Sequence, residues 1–119
     1  MSIGRVALAV AAIGLVAAAP KPRPRACHIT TIVKLEPRLE GAPDSGSSVA
    51  YADGLRQTSY DVVPALQRSM PGDMVRLCVV ERPKGCPPGD TRGSRYAATN
   101  LRTSERWSLY DSEHRCGGA

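Results

Sequence analysis

Residues 86–119 read CPPGDTRGSRYAATNLRTSERWSLYDSEHRCGGA. Inside that stretch, RYAATN (95–100) and RWSLY (106–110) are short runs of strand-forming residues, and the polar LRTSE (101–105) between them reads as a hairpin connection. With the turn near Thr103-Ser104, antiparallel partners have numbers summing to about 207, which sets Asn100 opposite Trp107 and Tyr96 opposite Tyr110 or its neighbour. Cys86 and Cys116 then flank the hairpin almost symmetrically, as a disulfide with Cα atoms ~5.5 Å apart requires.

The chain has four cysteines, which admit three pairings. The hairpin favours Cys86 with Cys116, leaving Cys27 with Cys78, and loops of that size stabilise by roughly 3.5–4 kcal/mol each in the chain-entropy model. Pairing Cys78 with Cys86 instead closes a tight loop worth only roughly 2.5 kcal/mol, and it stays open at this level.

Outward from the hairpin, MVRLCVV (74–80) is the most continuous apolar run and reads as a central strand. ERPKGCPPGDTRGS (81–94) is dense in proline and glycine and reads as a loop. HITTIVKL (28–35) alternates, with Ile29, Thr31, Val33 and Leu35 on one face of a strand. EPRLEGAPDSGS (36–47) reads as a loop, and SVAYADGLRQTSY (48–60) as two short strands around a type I′ turn at Asp53-Gly54. Asp61 is placed to cap a helical turn in VVPALQRS (62–69), where Pro64 is tolerated in the first turn, and MPGD (70–73) is a turn. Five or six short strands with one helical turn predict a mainly β fold, a small single-domain barrel or curled antiparallel sheet of the SH3-like or OB-like kind, held by two disulfides. Such a small core, without phenylalanine, is marginal on burial alone, so covalent staples make physical sense.

The chain opens MSIGRVALAVAAIGLVAAAPKPRPRAC. Arg5 followed by an apolar run to Ala19 has the layout of a secretory signal peptide, and the run is short of the ~20 apolar residues a membrane span needs. Cleavage after Ala18 divides the chain into a signal peptide (1–18), a Pro/Arg-rich linker (19–26) and a disulfide-stapled β domain (27–119). An even cysteine count in a short exported chain fits the periplasm or the medium, with no transmembrane span once the leader is removed.

The formal charge of +5 is mostly leader and linker: from Cys27 onward there are 12 basic and 11 acidic residues. That balance argues against a nucleic-acid partner, which asks for a basic face interleaved with aromatics. The folded part is nonetheless polarised, because residues 82–119 hold seven basic and four acidic residues. His28, His114 and the cysteines lack the close Cys-x2-4-Cys spacing of a zinc site, so no metal and no cofactor is expected. No G-x-S-x-G or comparable motif marks a nucleophile, and no catalytic residue is assigned. A small secreted hydrolase would need Asp111, Glu113 or His114 to converge on one.

What remains are residue types enriched at binding surfaces: Arg92, Arg95, Arg102, Arg106, Trp107 and His114. Arginine forks suit carboxylates and phosphates, although Asp90 and Glu105 stand ready to pair with them instead, and Trp107 is equally a core anchor.

The run Cys86-Pro87-Pro88-Gly89-Asp90, the NLRT at 100–103, Trp107, the Asp111-Ser112 pair, His114 and the closing CGGA together resemble a family of small exported proteobacterial proteins. The resemblance extends back through GSSVAYADGLRQTSYDVVPALQRSMPGD (46–73), and it carries no activity to transfer. A glycine is expected in the turn where this chain has SERW (104–107). More weakly, VAYADGLRQTSYD followed by PGDMVRLCVV is similar to the small β-module of envelope lipoproteins of the 17-kDa surface-antigen type. These features imply an exported binding or structural module whose partner is an envelope protein or an anionic envelope component. Inhibition of a periplasmic or exogenous hydrolase is the alternative, since a rigid stapled domain is ordered before it binds.

Overall fold

Two three-stranded meanders face each other and close into a barrel. The computed structural model describes Gly4 and residues 26–118, so the expected leader apart from Gly4, and the linker apart from Ala26, lie outside the described residues. The first meander is β1 (Cys27–Leu39), β2 (Ala42–Tyr51) and β3 (Arg56–Ser59), and the second is β4 (Met74–Glu81), β5 (Arg95–Asn100) and β6 (Arg106–Tyr110). The short helix α1 (Pro64–Gln67) joins them. The ring order is β1-β2-β3-β6-β5-β4, and every pairing is antiparallel. Closure decides between the two expected architectures, a barrel or a curled open sheet, and removes the sheet edges on which chains aggregate. Among the described residues no helix is long and apolar enough to cross a membrane.

The two seams differ in strength. β1 pairs with β4 from Cys27↔Cys78 to Thr31↔Met74, and the disulfide Cys27–Cys78 joins residues directly opposite in that register. β3 meets β6 at the single pair Thr58↔Tyr110. There a side chain replaces the missing ladder. Gln57, completely buried, donates from Nε2 to the carbonyls of Tyr96 (2.9 Å) and Leu109 (3.0 Å), tying β3 to β5 and β6. Its Oε1 accepts from the Tyr51 hydroxyl (2.6 Å) and the Trp107 indole N–H (2.9 Å).

Around Gln57 lies the apolar core of Ile32, Val49, Tyr51, Val75, Leu77, Ala98 and Trp107, with Ala65 and Leu66 of α1 packed against it. Trp107 is a core anchor. The second disulfide is Cys86–Cys116, with Cα atoms 5.2 Å apart, so both pairings favoured by the hairpin geometry are present.

Several local expectations are corrected. The proline-bearing stretch 36–47 is no loop: β1 runs through Pro37 and turns at Glu40-Gly41 straight into β2. Pro37 sits at an irregular register next to a ladder shift, where a missing N–H is tolerated. In β1 the buried residues are Thr30 and Ile32, while Ile29 and Val33 face out. A register shift between Ile32 and Lys34 absorbs Val33 as a bulge, which turns Leu35 back against the core and breaks simple alternation. The Asp53-Gly54 connection is a hairpin, but only Gly54 has positive φ (90°). Tyr51 N–H bonds the Leu55 carbonyl at 2.9 Å and Asp53 Oδ1 accepts from Leu55 N–H at 2.9 Å, so the loop spans three residues instead of the type I′ two.

Asp61 does not cap α1. The N-cap is Val63, and its N–H is met by Ser47 Oγ across the barrel at 2.8 Å. In the last hairpin Ala98, not Asn100, faces Trp107, giving a sum of 205, while Tyr96 faces Leu109, the neighbour of Tyr110, as expected. The turn sits one residue earlier because Ser104 takes φ of +60°, the left-handed conformation a glycine would supply.

Candidate functional site

β4 and β6 flank β5 and so run the same way, leaving the barrel at one end, where Arg95 opposes both Glu81 and Tyr110. The loop after β4 and the tail after β6 therefore emerge side by side. The Cys86–Cys116 disulfide ties them, reinforced by Cys116 N–H to the Arg92 carbonyl (3.0 Å) and Asp111 N–H to the Ser94 carbonyl (2.9 Å). Gly93 N–H donates to Asp111 Oδ1 (2.8 Å), and Gly117 N–H to Asp90 Oδ2 (3.0 Å). Proline- and glycine-rich loops of this kind hold shape only when their backbone groups find such partners.

Between loop and tail lies a cavity of about 470 Å³ lined by Arg82, Pro83, Lys84, Tyr110, Arg115, Cys116 and their neighbours Glu81 and Gly93. A Cβ added at Gly93 would come within 3.5 Å of Pro83 and 3.4 Å of the Arg115 Cα, so the residues around Gly93 leave little room for a side chain. An adjoining hollow of about 180 Å³ shares Gly93, Tyr110 and Arg115 and adds Ser112, Glu113 and His114.

The arginines singled out from sequence are not brought together. Arg92 pairs with Asp90 (2.9 Å), and Arg95 pairs with Glu81 (3.1 Å) and donates to Ser108 Oγ (2.8 Å). Arg102 is structural: Nε and a terminal nitrogen grip buried Asp73 at 2.7 and 3.0 Å, while the latter also reaches the Arg68 carbonyl (3.0 Å). Asp73 also accepts from Asn100 Nδ2 (2.9 Å) and Met70 N–H (2.8 Å). The Arg102 guanidinium holds the Asp73 carboxyl well below the usual carboxylate range, against the opposing effect of burial. Glu105 pairs with Arg68 instead of the hairpin arginines, which lowers its pKa. Trp107 is buried and gives its N–H to Gln57. Arg106 lines a different hollow of about 720 Å³, open on the outer face of β4–β5–β6, where Arg76, Thr99 and Arg106 lie in one cross-strand row.

Of the residues a hydrolase would need, Glu113 and His114 share the smaller hollow with Ser112, but no side-chain hydrogen bond joins them into a catalytic array. Asp111 is engaged by Gly93, Glu113 pairs with Arg38 (3.0 Å), and His114 is exposed with only its backbone N–H bonded, to Ser112 Oγ (3.1 Å). His28 meets Asp53 at 2.6 Å, exposed to solvent. All four cysteines are in disulfides, and no group of three metal-ligating side chains converges among the described residues.

Arg82, Lys84 and Arg115 are the residues a sequence reading passed over. Their signal was the basic excess of residues 82–119, and placing it required knowing that β4 and β6 end together. Compared with family models, curated proteins and solved structures, the chain matches none.

Proposed function

We propose that the chain is an exported, non-catalytic binding module of the bacterial cell envelope, and that it meets an anionic partner through the basic cavity at the Cys86–Cys116 end of the barrel. The observation that carries this reading is the convergence of Arg82, Lys84 and Arg115 on one cavity held open by a disulfide. The engagement of Asp111 by Gly93 and of Glu113 by Arg38, with no side-chain hydrogen bond from His114 to Ser112, favours binding over hydrolysis. Export is supported by the leader-like first 18 residues and by two disulfides, which persist in oxidising compartments. The resemblance to small exported proteobacterial proteins supports an envelope setting.

The test is a photo-crosslinking amino acid at position 84, with a second at Val33 on the far side, in protein expressed with its own leader. A processed protein in the periplasm or medium, forming an adduct from position 84 and not from 33, is the expected result. Retention in the cytoplasm with the leader attached, or equal adducts from both positions, contradicts the proposal.

A further inference from the structure

We infer that the cavity bounded by Arg82, Lys84 and Arg115 binds a phosphate monoester carried on a small organic group; this rests on the binding-module reading above and names its ligand. The argument begins with charge. All 11 acidic residues of the chain lie between Glu36 and Glu113, within the described part. In residues 82–119 three of the four are paired with cations, Asp90 with Arg92, Glu105 with Arg68 and Glu113 with Arg38. Asp111 accepts from the neutral Gly93 N–H and keeps its charge, so the three cations of the cavity face one unpaired acid. Arg95 and Arg102 are neutralised by Glu81 and Asp73. Among the described residues Arg76, Arg82, Lys84, Arg106 and Arg115 have no side-chain hydrogen-bond or ion-pair partner, and three of these five line the same cavity.

Like charges gathered on flexible surface loops move apart. Here the disulfide and the loop-to-tail backbone bonds keep the roots of these side chains together, so a bound anion offsets a repulsion that backbone movement cannot relieve. A carboxylate carries one charge and two oxygens, which leaves most of this cluster uncompensated. A phosphate monoester carries about −1.5 to −2 at neutral pH and three terminal oxygens, one for each cation. Arginine meets such oxygens with its planar fork and lysine as a point charge. A volume of about 470 Å³ falls in the range of sites for whole small molecules, roughly 300–1,000 Å³, so there is room for the group that bears the phosphate. Pro83, Tyr110 and Cys116 are the less polar residues of the lining available to that group. The larger hollow on the sheet face offers only Arg76 and Arg106 and is the poorer candidate.

The experiment uses the mature, oxidised protein at low salt, titrated by calorimetry and by amide chemical shifts with inorganic phosphate, glucose 6-phosphate, glucose, and vesicles containing phosphatidic acid. Glucose 6-phosphate or the vesicles should bind, shifting the amides of residues 82–84 and 115, and glucose should not. Arg115→Gln and Lys84→Gln should each weaken binding at least tenfold with an unchanged melting temperature, while Arg76→Gln binds like wild type. Preference for the soluble sugar phosphate identifies a free metabolite-like ligand, and preference for the vesicles identifies a lipid headgroup; both support the inference. It is overturned if no phosphate probe binds, or if Arg76→Gln weakens binding as much as Arg115→Gln, which would be diffuse charge attraction. A position-84 adduct to a partner without any phosphate binding would overturn this inference alone and leave the binding module standing.

Discussion

Gln57 is completely buried, yet each of its side-chain hydrogen-bonding atoms has two partners, contributed by Tyr51, Tyr96, Trp107 and Leu109. An unsatisfied buried polar group costs about 1–3 kcal/mol, and a vacated side chain adds a cavity. Gln57→Ala should therefore destabilise the protein by about 3 kcal/mol or more in urea unfolding, and a loss below about 1 kcal/mol would contradict its role as the closure of the β3–β6 seam. Asp73 gives a second residue-scale prediction. Its carboxyl is held below the usual range by Arg102, so its contribution to stability is full above the unfolded value of about 3.9. As pH falls below that, the unfolded chain takes up the proton first and stability declines toward the depressed folded value. Asp73→Asn should lose stability less steeply than wild type between pH 4 and about pH 2; parallel curves would show that the Arg102 pair is not a main source of acid sensitivity. Because Asp90 and Glu105 are also depressed, the variant's slope should shrink but not vanish.

At the scale of elements, β4, β5 and β6 were legible because β-branched or apolar runs stood between proline, glycine and polar punctuation. The β1–β2 hairpin was not, since Pro37 and Pro43 look like loop residues unless one knows that bulges and ladder shifts accommodate them. Nor could alternation place the buried face of β1, because one bulge at Val33 reverses parity. The β3–β6 seam left a trace only in a lone glutamine, a residue that reads as surface until its partners from β2, β5 and β6 are known. Gly46 carries the element-scale prediction. It has φ of +128°, and a Cβ there would fall on the Ser59 carbonyl where β2 crosses β3. Gly46→Ala should lower the urea midpoint by the equivalent of about 3 kcal/mol or more, since backbone and not a side chain must move. An unchanged midpoint would mean that β2 and β3 do not approach as described.

For the whole molecule, the candidate site was half legible. The basic excess of residues 82–119 is visible in the sequence, and so is the cysteine frame. Which cations are spent internally depends on partners far away in the chain, such as Asp73 for Arg102 and Glu81 for Arg95. The same frame makes the architecture depend on its staples: in the chain-entropy model the loops closed by Cys27–Cys78 and Cys86–Cys116 contribute about 4 kcal/mol each. Disulfides form and persist chiefly in oxidising compartments, so the staples support the proposed export. The measurement that tests the stapled architecture and the proposed export together is the intact mass of the protein recovered from its native host, unreduced and then reduced and alkylated. A mass beginning near Ala19, without lipid and four protons short of the reduced form, is the predicted result. A full-length mass with four alkylatable thiols before reduction would contradict it.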